Sequence, residues 1–144
     1  MYSQTVIDRF TNPINSGYIK NADASGTAGN ADASDVIRIM LKVENNKITE
    51  AKFKAFGCVV AIASADVLLD LILNNSLDTA SKISSGDIIE VLGEIDDNKL
   101  GCVSVAIEAL HQTLEDYKER QEREKEIAEN GGKPVKKTKR KSKK

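Results

Sequence analysis

Histidine, cysteine, proline and tryptophan are scarce in this 144-residue chain, which has one His, two Cys, two Pro and no Trp. Two cysteines 44 residues apart are too few for the disulfide framework of a small secreted domain, so the thiols are buried, metal-binding or catalytic. No apolar run approaches the roughly 18 residues of a membrane span. The N-terminus lacks the basic flank and apolar core of a signal peptide. We therefore expect a cytoplasmic protein that does not associate with membranes.

The charge is unevenly distributed along the chain. Residues 133–144 carry eight Lys or Arg and no acid, which leaves 13 bases against 22 acids, a net charge of −9, for residues 1–132. We predict one domain over residues 1–130 and a disordered Lys-rich tail over residues 131–144. The tail has no aromatic residue to stack on bases, so we do not expect sequence-specific nucleic-acid binding. Non-specific contact with an anionic partner remains open.

Period-two alternation early in the chain and helical spacing later predict an α+β fold. VIRIMLKV and TEAKFKAF both alternate apolar and polar residues, and a turn over residues 44–47 joins them into an antiparallel hairpin. The Gly- and Asn-rich segment before the hairpin is a loop with an edge strand around Thr27. The prediction is a small three-stranded antiparallel sheet packed against several helices.

The helices are predicted from capping residues and apolar spacing. Ser3 caps a short N-terminal helix, and a helix of about four turns follows Gly57. Two short helices come next, the second of them capped at Ser85, and a long helix begins near Cys102. Beyond Tyr117 this last helix has almost no apolar stripe, so we expect a solvated extension.

Both cysteines directly follow glycine and open a helical pattern. The positive end of the helix dipole lowers the pKa of a nearby thiol, so Cys58 and Cys102 are candidate thiolates. Asp35, where a loop enters the first strong strand, can add an oxygen. Two sulfurs and one oxygen can hold zinc, or part of an iron–sulfur cluster with a further ligand from elsewhere. On spacing alone, small buried hydrophobic residues are the simpler interpretation of the two cysteines, and a capping or loop acceptor explains Asp35 as well as a ligand does.

Several short motifs occur in an order that is typical of one family. They are YSQTVIDRFTNPINSG, GTAGNADASDV, LKVENNKITEAKFKAFGC, AIAS and KLGCVSVAIEALHQTLEDY. Over about residues 2–120 the chain resembles the U-type iron–sulfur cluster assembly scaffolds, the IscU-type and NifU N-terminal-domain family. The resemblance implies an α+β scaffold, not an enzyme, that builds a transient [2Fe–2S] cluster. It also implies a cysteine desulfurase as the sulfur source and apo iron–sulfur proteins as acceptors.

The resemblance also implies a ligand set, with two departures. Cys58 and Cys102 match the family's second and third cysteines, and Asp35 matches the acid of its first loop. The first cysteine is replaced by Ala33, and the histidine that commonly precedes the third is replaced by Gly101.

Two auxiliary residues accompany these ligands. The family's lysine before the third cysteine is kept as Lys99, which can polarise a thiol or a bound sulfur intermediate, and Asp32 can supply a further oxygen. The remaining His111, nine residues after Cys102, is expected on the surface of the last helix.

The sequence therefore predicts an iron–sulfur cluster assembly scaffold-like protein with Asp35, Cys58 and Cys102 as metal ligands. Because one chain cannot close a four-ligand cluster with these residues, a homo-oligomer or an external thiol remains open. Two alternatives remain as well. One is a non-assembling homologue that acts as an interaction or regulatory module on a cysteine desulfurase or a standard scaffold. The other is a zinc-binding variant with an open fourth position.

Overall fold

A three-stranded antiparallel sheet and five α-helices make up the residues that the computed structural model describes, 2–30 and 34–129. A one-turn 3₁₀ helix, Asp97–Lys99, precedes the last α-helix. In chain order the other elements are α1 (Gln4–Thr11), β1 (Ala24–Asn30), β2 (Asp35–Glu44), β3 (Lys47–Phe56), α2 (Val59–Ile72), α3 (Leu77–Ser81), α4 (Ser85–Leu92) and α5 (Leu100–Glu129). The predicted α+β class and the three-stranded sheet are confirmed.

The sheet has the order β1-β2-β3, with the predicted hairpin formed by β2 and β3. Asn45 and Asn46 form its turn with φ of 50° and 67°, the left-handed conformation that two-residue hairpin turns require and that asparagine tolerates. The register pairs Val36 with Phe56. The start of β2 therefore lies beside the end of β3, where the chain leaves the sheet for α2.

The core lies between one face of the sheet and two helices. α5 packs across β1 and β2, and α2 packs against β3. The close approach of α5 to β1 depends on Gly26, because a Cβ there would lie 2.7 Å from the Thr113 Oγ1 atom. Ten of the 14 residues of α2 are buried, since α1 and α4 cover it on the side away from the sheet. α2 is thus the central helix of the fold.

The helix boundaries agree with prediction except at α4. Its N-cap is Ser84 and not Ser85, because the Asp87 carboxylate accepts a hydrogen bond from the Ser84 N–H at 2.9 Å. α5 continues to Glu129, and residues 121–126 are exposed, as expected of a solvated extension. None of the helices in the described residues combines the length and the hydropathy that a membrane span needs. The predicted tail over residues 131–144 lies outside the described residues.

Candidate metal centre

The hairpin and two helix starts bring the three predicted ligands together. Asp35 is the first residue of β2 and is 1% exposed. Cys58 is the N-cap of α2, two residues after Phe56, which pairs with Val36. Cys102 is the third residue of α5 and is buried. Residues separated by 23 and 44 positions thus meet at one end of the sheet.

Gly57 makes the contact between the strand start and the helix start possible. Its φ is +153°, and a Cβ at this position would overlap the Asp35 carboxylate, lying only 3.0 Å from Cγ and 2.9 Å from the Asp35 Cα. With glycine there, the Cys58 N–H donates a hydrogen bond of 2.9 Å to Asp35 Oδ1. This bond satisfies one free N–H of the helix start and orients the buried carboxylate.

The side-chain donor atoms of the three residues form a compact group. Cys58 Sγ lies 3.2 Å from Cys102 Sγ and 3.8 Å from Asp35 Oδ2. All three candidate ligand atoms lie within 4.8 Å of one another. Both cysteines are free, since a disulfide needs about 2.05 Å between the sulfurs. Two soft sulfurs and one oxygen suit zinc or iron, with room for a ligand from outside the chain.

Burial, together with the contacts that the thiol makes with Cys58 and Asp35, raises the pKa of Cys102 to about 12. The expectation that the helix N-terminus lowers this pKa is therefore wrong for Cys102. Desolvation and two neighbouring acidic groups outweigh the dipole, because each opposes a second negative charge in a small buried volume. A bound cation reverses this balance by supplying the opposite charge. A metal ion bound at this centre would therefore displace a proton from Cys102.

Of the two auxiliary residues, Lys99 lies within the described residues and Asp32 does not. Lys99 lies half-buried in the 3₁₀ turn, and its side chain forms no hydrogen bond or ion pair with any described residue. Asp32 and Ala33 lie outside the described residues. His111 is exposed on α5, as expected.

Sequence reasoning missed two features around the centre. The first is the role of Gly57. The one sequence feature that points to this role is the glycine that precedes each cysteine. The second is the exposure of Phe56, which is 75% exposed beside the centre. The sequence feature that indicates this exposure is the period of two in β3, because it places Phe56 on the same face of the strand as the exposed Lys54.

We expect Gly57→Ala to weaken Zn²⁺ binding by about tenfold to hundredfold, the usual effect of disturbing groups that orient metal ligands. The added methyl group displaces the Asp35 carboxylate and breaks its bond from Cys58. Competition with a chromophoric chelator measures the affinity. Gly86→Ala is the matched control, because its Cβ would lie 3.6 Å from Ser84 Oγ, an ordinary contact. Equal affinities of the two variants would contradict this assignment.

The fold and the donor group define a small α+β protein with a thiol–carboxylate centre at the junction of a hairpin and two helices. The chain belongs to the family described as NifU-like N terminal domain, whose model matches residues 1–124.

Among relatives, the chain is 38% identical over 117 residues to the iron-sulfur cluster assembly scaffold protein IscU 1 of Archaeoglobus fulgidus, covering 81% of this chain and 76% of that protein. It is 38% identical over 125 residues to the iron-sulfur cluster assembly scaffold protein IscU of Escherichia coli, covering 84% and 97%.

A solved structure supports the architecture independently. The N-terminal part of a nitrogen-fixing NifU-like protein from Brucella abortus matches with a TM-score of 0.71 over 82% of this chain and 94% of that one. At 12% identity, this likeness shows the fold alone.

Proposed function

We propose that this protein is an iron–sulfur cluster assembly scaffold that holds iron and sulfide, or a transient [2Fe–2S] cluster, at Asp35, Cys58 and Cys102. The observation that carries the proposal is the group of three donor atoms within 4.8 Å, two of them free thiols, in a member of the NifU-like N terminal domain family. The relatives named as iron-sulfur cluster assembly scaffold proteins support the same cargo.

The three side chains have different tasks in holding the cargo. Cys58 and Cys102 supply thiolates, the ligands that iron–sulfur clusters prefer. Cys102 gives up its proton when iron arrives, because its raised pKa keeps it protonated in the metal-free chain. Asp35 supplies an oxygen, which binds cluster iron less tightly than sulfur does. The carboxylate is therefore the ligand that an acceptor thiol replaces first during transfer.

The proposed partners follow from this cargo. The chain has only two thiols, both in the centre, so sulfide must come from another protein, for which a cysteine desulfurase is the matching class. Apo iron–sulfur proteins are the acceptors. The protein acts by binding and release and not by turnover, and two free thiols in contact fit a reducing compartment such as the cytoplasm.

Anaerobic reconstitution tests the proposal. The full chain, incubated with ferric iron and sulfide and then desalted, should gain visible charge-transfer absorption and retain iron and sulfide in equal amounts. His111→Ala is the matched control, because the only histidine is exposed and outside the centre, so this variant should load like the wild type. A colourless wild type without bound iron would refute the proposal.

A zinc centre is the second candidate, favoured by the donor set of two sulfurs and one oxygen with an open fourth position. Metal analysis after purification without added iron separates the two. One zinc per chain that iron and sulfide fail to displace would favour this candidate.

A further inference from the structure

A groove of about 730 Å³ lies between β1 and α5. Its wall on the β1 side is formed by residues 25–29, which are all small and therefore leave the groove open. β1 is an edge strand, and within residues 2–30 and 34–129 no strand pairs with its outer side. An edge strand offers a row of backbone N–H and C=O groups that an extended peptide can bond. The groove therefore suits an extended segment of polypeptide.

The backbone of β1 shows which of its groups face this groove. The Ser25 N–H donates a hydrogen bond of 3.0 Å to the Asp116 carboxylate on α5, and so it points away from β2. Because alternate residues of a strand direct their backbone groups to the same side, those of Thr27 and Gly29 also face outward. Both residues are exposed and line the groove. An extended segment therefore has two residues of β1 with which it can form backbone hydrogen bonds.

The wall that α5 contributes to the groove is acidic. The residues of α5 that line it are Gln112, Glu115, Asp116 and Glu119. Among all the lining residues the only base is Arg38. Asp116 is paired with Arg120 at 2.9 Å, whereas Glu115 is exposed and forms no hydrogen bond or ion pair within the described residues. The groove thus favours a positively charged occupant.

The acidic face continues along α5 beyond the groove. Glutamates recur at intervals of four and three residues, a spacing that places them on one face of the helix: Glu115, Glu119, Glu122, Glu126 and Glu129. Like charges four residues apart destabilise a helix, yet α5 remains helical to Glu129. Glu122 and Glu126 are exposed and have no ion-pair partner in the part of the chain that the structure describes. A basic segment lying along this face would offset the repulsion between them.

The same chain carries a basic segment directly after α5. Residues 133–144 hold eight Lys or Arg and no acid, against a net charge of −9 for residues 1–132. Asn130, Gly131 and Gly132 come between α5 and this segment, and glycine allows a chain to reverse its direction after a helix. The segment therefore combines the charge that the groove favours with a covalent link that keeps it close.

The basic segment is long enough to reach along the whole groove. Glu119 and Gln112 precede Glu129 by 10 and 17 residues. At about 1.5 Å per helical residue they lie about 15 and 26 Å from the end of α5. The twelve residues 133–144 span about 40 Å when extended. The segment can therefore pass along the exposed end of α5 and still fill the groove.

We infer that residues 133–144 fold back along α5 and lie in the groove beside β1 as an extended segment, with their basic side chains against the acidic face. The docked segment is withheld from other anionic molecules, because the glutamates of its own chain match its charges. An anionic partner has to displace the segment from α5 before binding it. The groove and polyanions therefore compete for the same twelve residues.

Hydrogen exchange of the full chain, followed by mass spectrometry, tests the docking. The comparison is with a variant in which all eight bases of residues 133–144 are changed to Gln. In about 0.1 M salt, residues 118–129 should exchange about tenfold more slowly in the wild type, because the segment stabilises this exposed end of α5. In about 1 M salt the difference should disappear, since the Debye length falls from about 10 Å to about 3 Å.

The buried helix α2 is the internal control for this comparison, and it should exchange equally in both proteins. Equal exchange of residues 118–129 in the two proteins at the lower salt concentration would overturn the inference.

Carbodiimide cross-linking identifies the occupant of the groove, because it joins a lysine only to a carboxylate in direct contact. Mass spectrometry should find links from residues 133–144 to Glu115, Glu122 and Glu126. An equal mixture of unlabelled and ¹⁵N-labelled protein distinguishes one chain from two. Links within a chain are entirely light or entirely heavy, as the inference requires. Links of mixed isotope content would show that a second copy supplies the segment and would overturn it.

Heparin serves as a polyanion that reports how accessible the basic segment is. Glu115→Gln with Glu122→Gln and Glu126→Gln should release the segment, and glutamine matches glutamate closely enough in helix propensity to preserve α5. The matched control has the same net charge and carries the same change at three exposed glutamates outside the groove: Glu50, Glu90 and Glu94. The groove variant should bind heparin at least about fivefold more tightly than the control. Equal affinities of these two variants would overturn the inference.

The inference and the proposed function are tested separately. None of these measurements involves bound iron or sulfide, so a failure here leaves the proposed function intact. Conversely, a protein that stays colourless after reconstitution leaves the docking of residues 133–144 intact.

Discussion

Cys58→Ala and Cys102→Ala should each abolish the visible absorption expected of the reconstituted protein, because each removes one of the two thiols in the chain. The remaining donors are one sulfur and the Asp35 oxygen, and no other His, Cys, Asp or Glu of residues 2–30 and 34–129 belongs to this group. Bound iron after desalting should fall by at least about a hundredfold, the upper range for weakening a metal site through its surroundings.

Cobalt(II) provides a second measurement that does not depend on cluster assembly. Each cobalt–thiolate bond contributes to a near-ultraviolet charge-transfer band, so either single variant should retain about half of the wild-type intensity at saturation. Ser104→Ala is the matched control, because Ser104 is exposed in the same turn of α5 and bonds only to the Leu100 carbonyl. Wild-type iron content in Cys102→Ala would contradict the assignment of Cys102 as a ligand.

Asp66→Ala should lower the free energy of unfolding by about 3 kcal/mol, because it removes two hydrogen bonds to a buried carboxylate and leaves a buried N–H without a partner. Asp66 is 0% exposed. It accepts hydrogen bonds of 2.7 Å from the Arg9 guanidinium and from the Asn15 N–H. Burial alone would lower the Arg9 pKa, but the bonds to Asp66 and Asp70 raise it above its usual value. Removing Asp66 leaves a buried N–H unpaired and loosens α1 from α2.

Urea denaturation of the metal-free chain measures this change. Asp70→Ala is the matched control, because Asp70 pairs with the same guanidinium at 2.7 Å but its side chain is 37% exposed. Exposed pairs contribute about 1 kcal/mol or less, so this variant should remain close to the wild type. Equal losses in the two variants would show that burial does not decide the strength of this network.

Local pattern was enough to predict the hairpin and α2. β2 and β3 alternate over much of their length because one face of the sheet is buried, and Asn45 and Asn46 suit the turn between them. β1 was much harder to place, because its residues, ASGTAGN, are small and do not alternate. Its strand conformation depends on pairing with β2 and on α5, which approaches closely over Gly26. Both contacts are made with residues outside β1, so the local sequence of β1 does not predict them.

The candidate centre also has some features that the local sequence predicts and others that depend on the tertiary structure. Both cysteines could be assigned to helix starts from their glycines and from the change of period that follows, since capping and periodicity are properties of a few adjacent residues. The sequence also determined that one chain has too few thiols for a four-ligand cluster, because residue types can be counted without a structure.

Only the tertiary structure decided that the two sulfurs lie 3.2 Å apart beside Asp35, since that distance depends on the hairpin register and on how α5 packs over the sheet. It also decided the protonation of Cys102. The helix dipole, which acts locally, favours a thiolate, whereas burial and the nearby carboxylate, which come from distant parts of the chain, raise the pKa to about 12. Desolvation prevails because it depends on everything that surrounds the sulfur, and a sequence pattern describes only its neighbours along the chain.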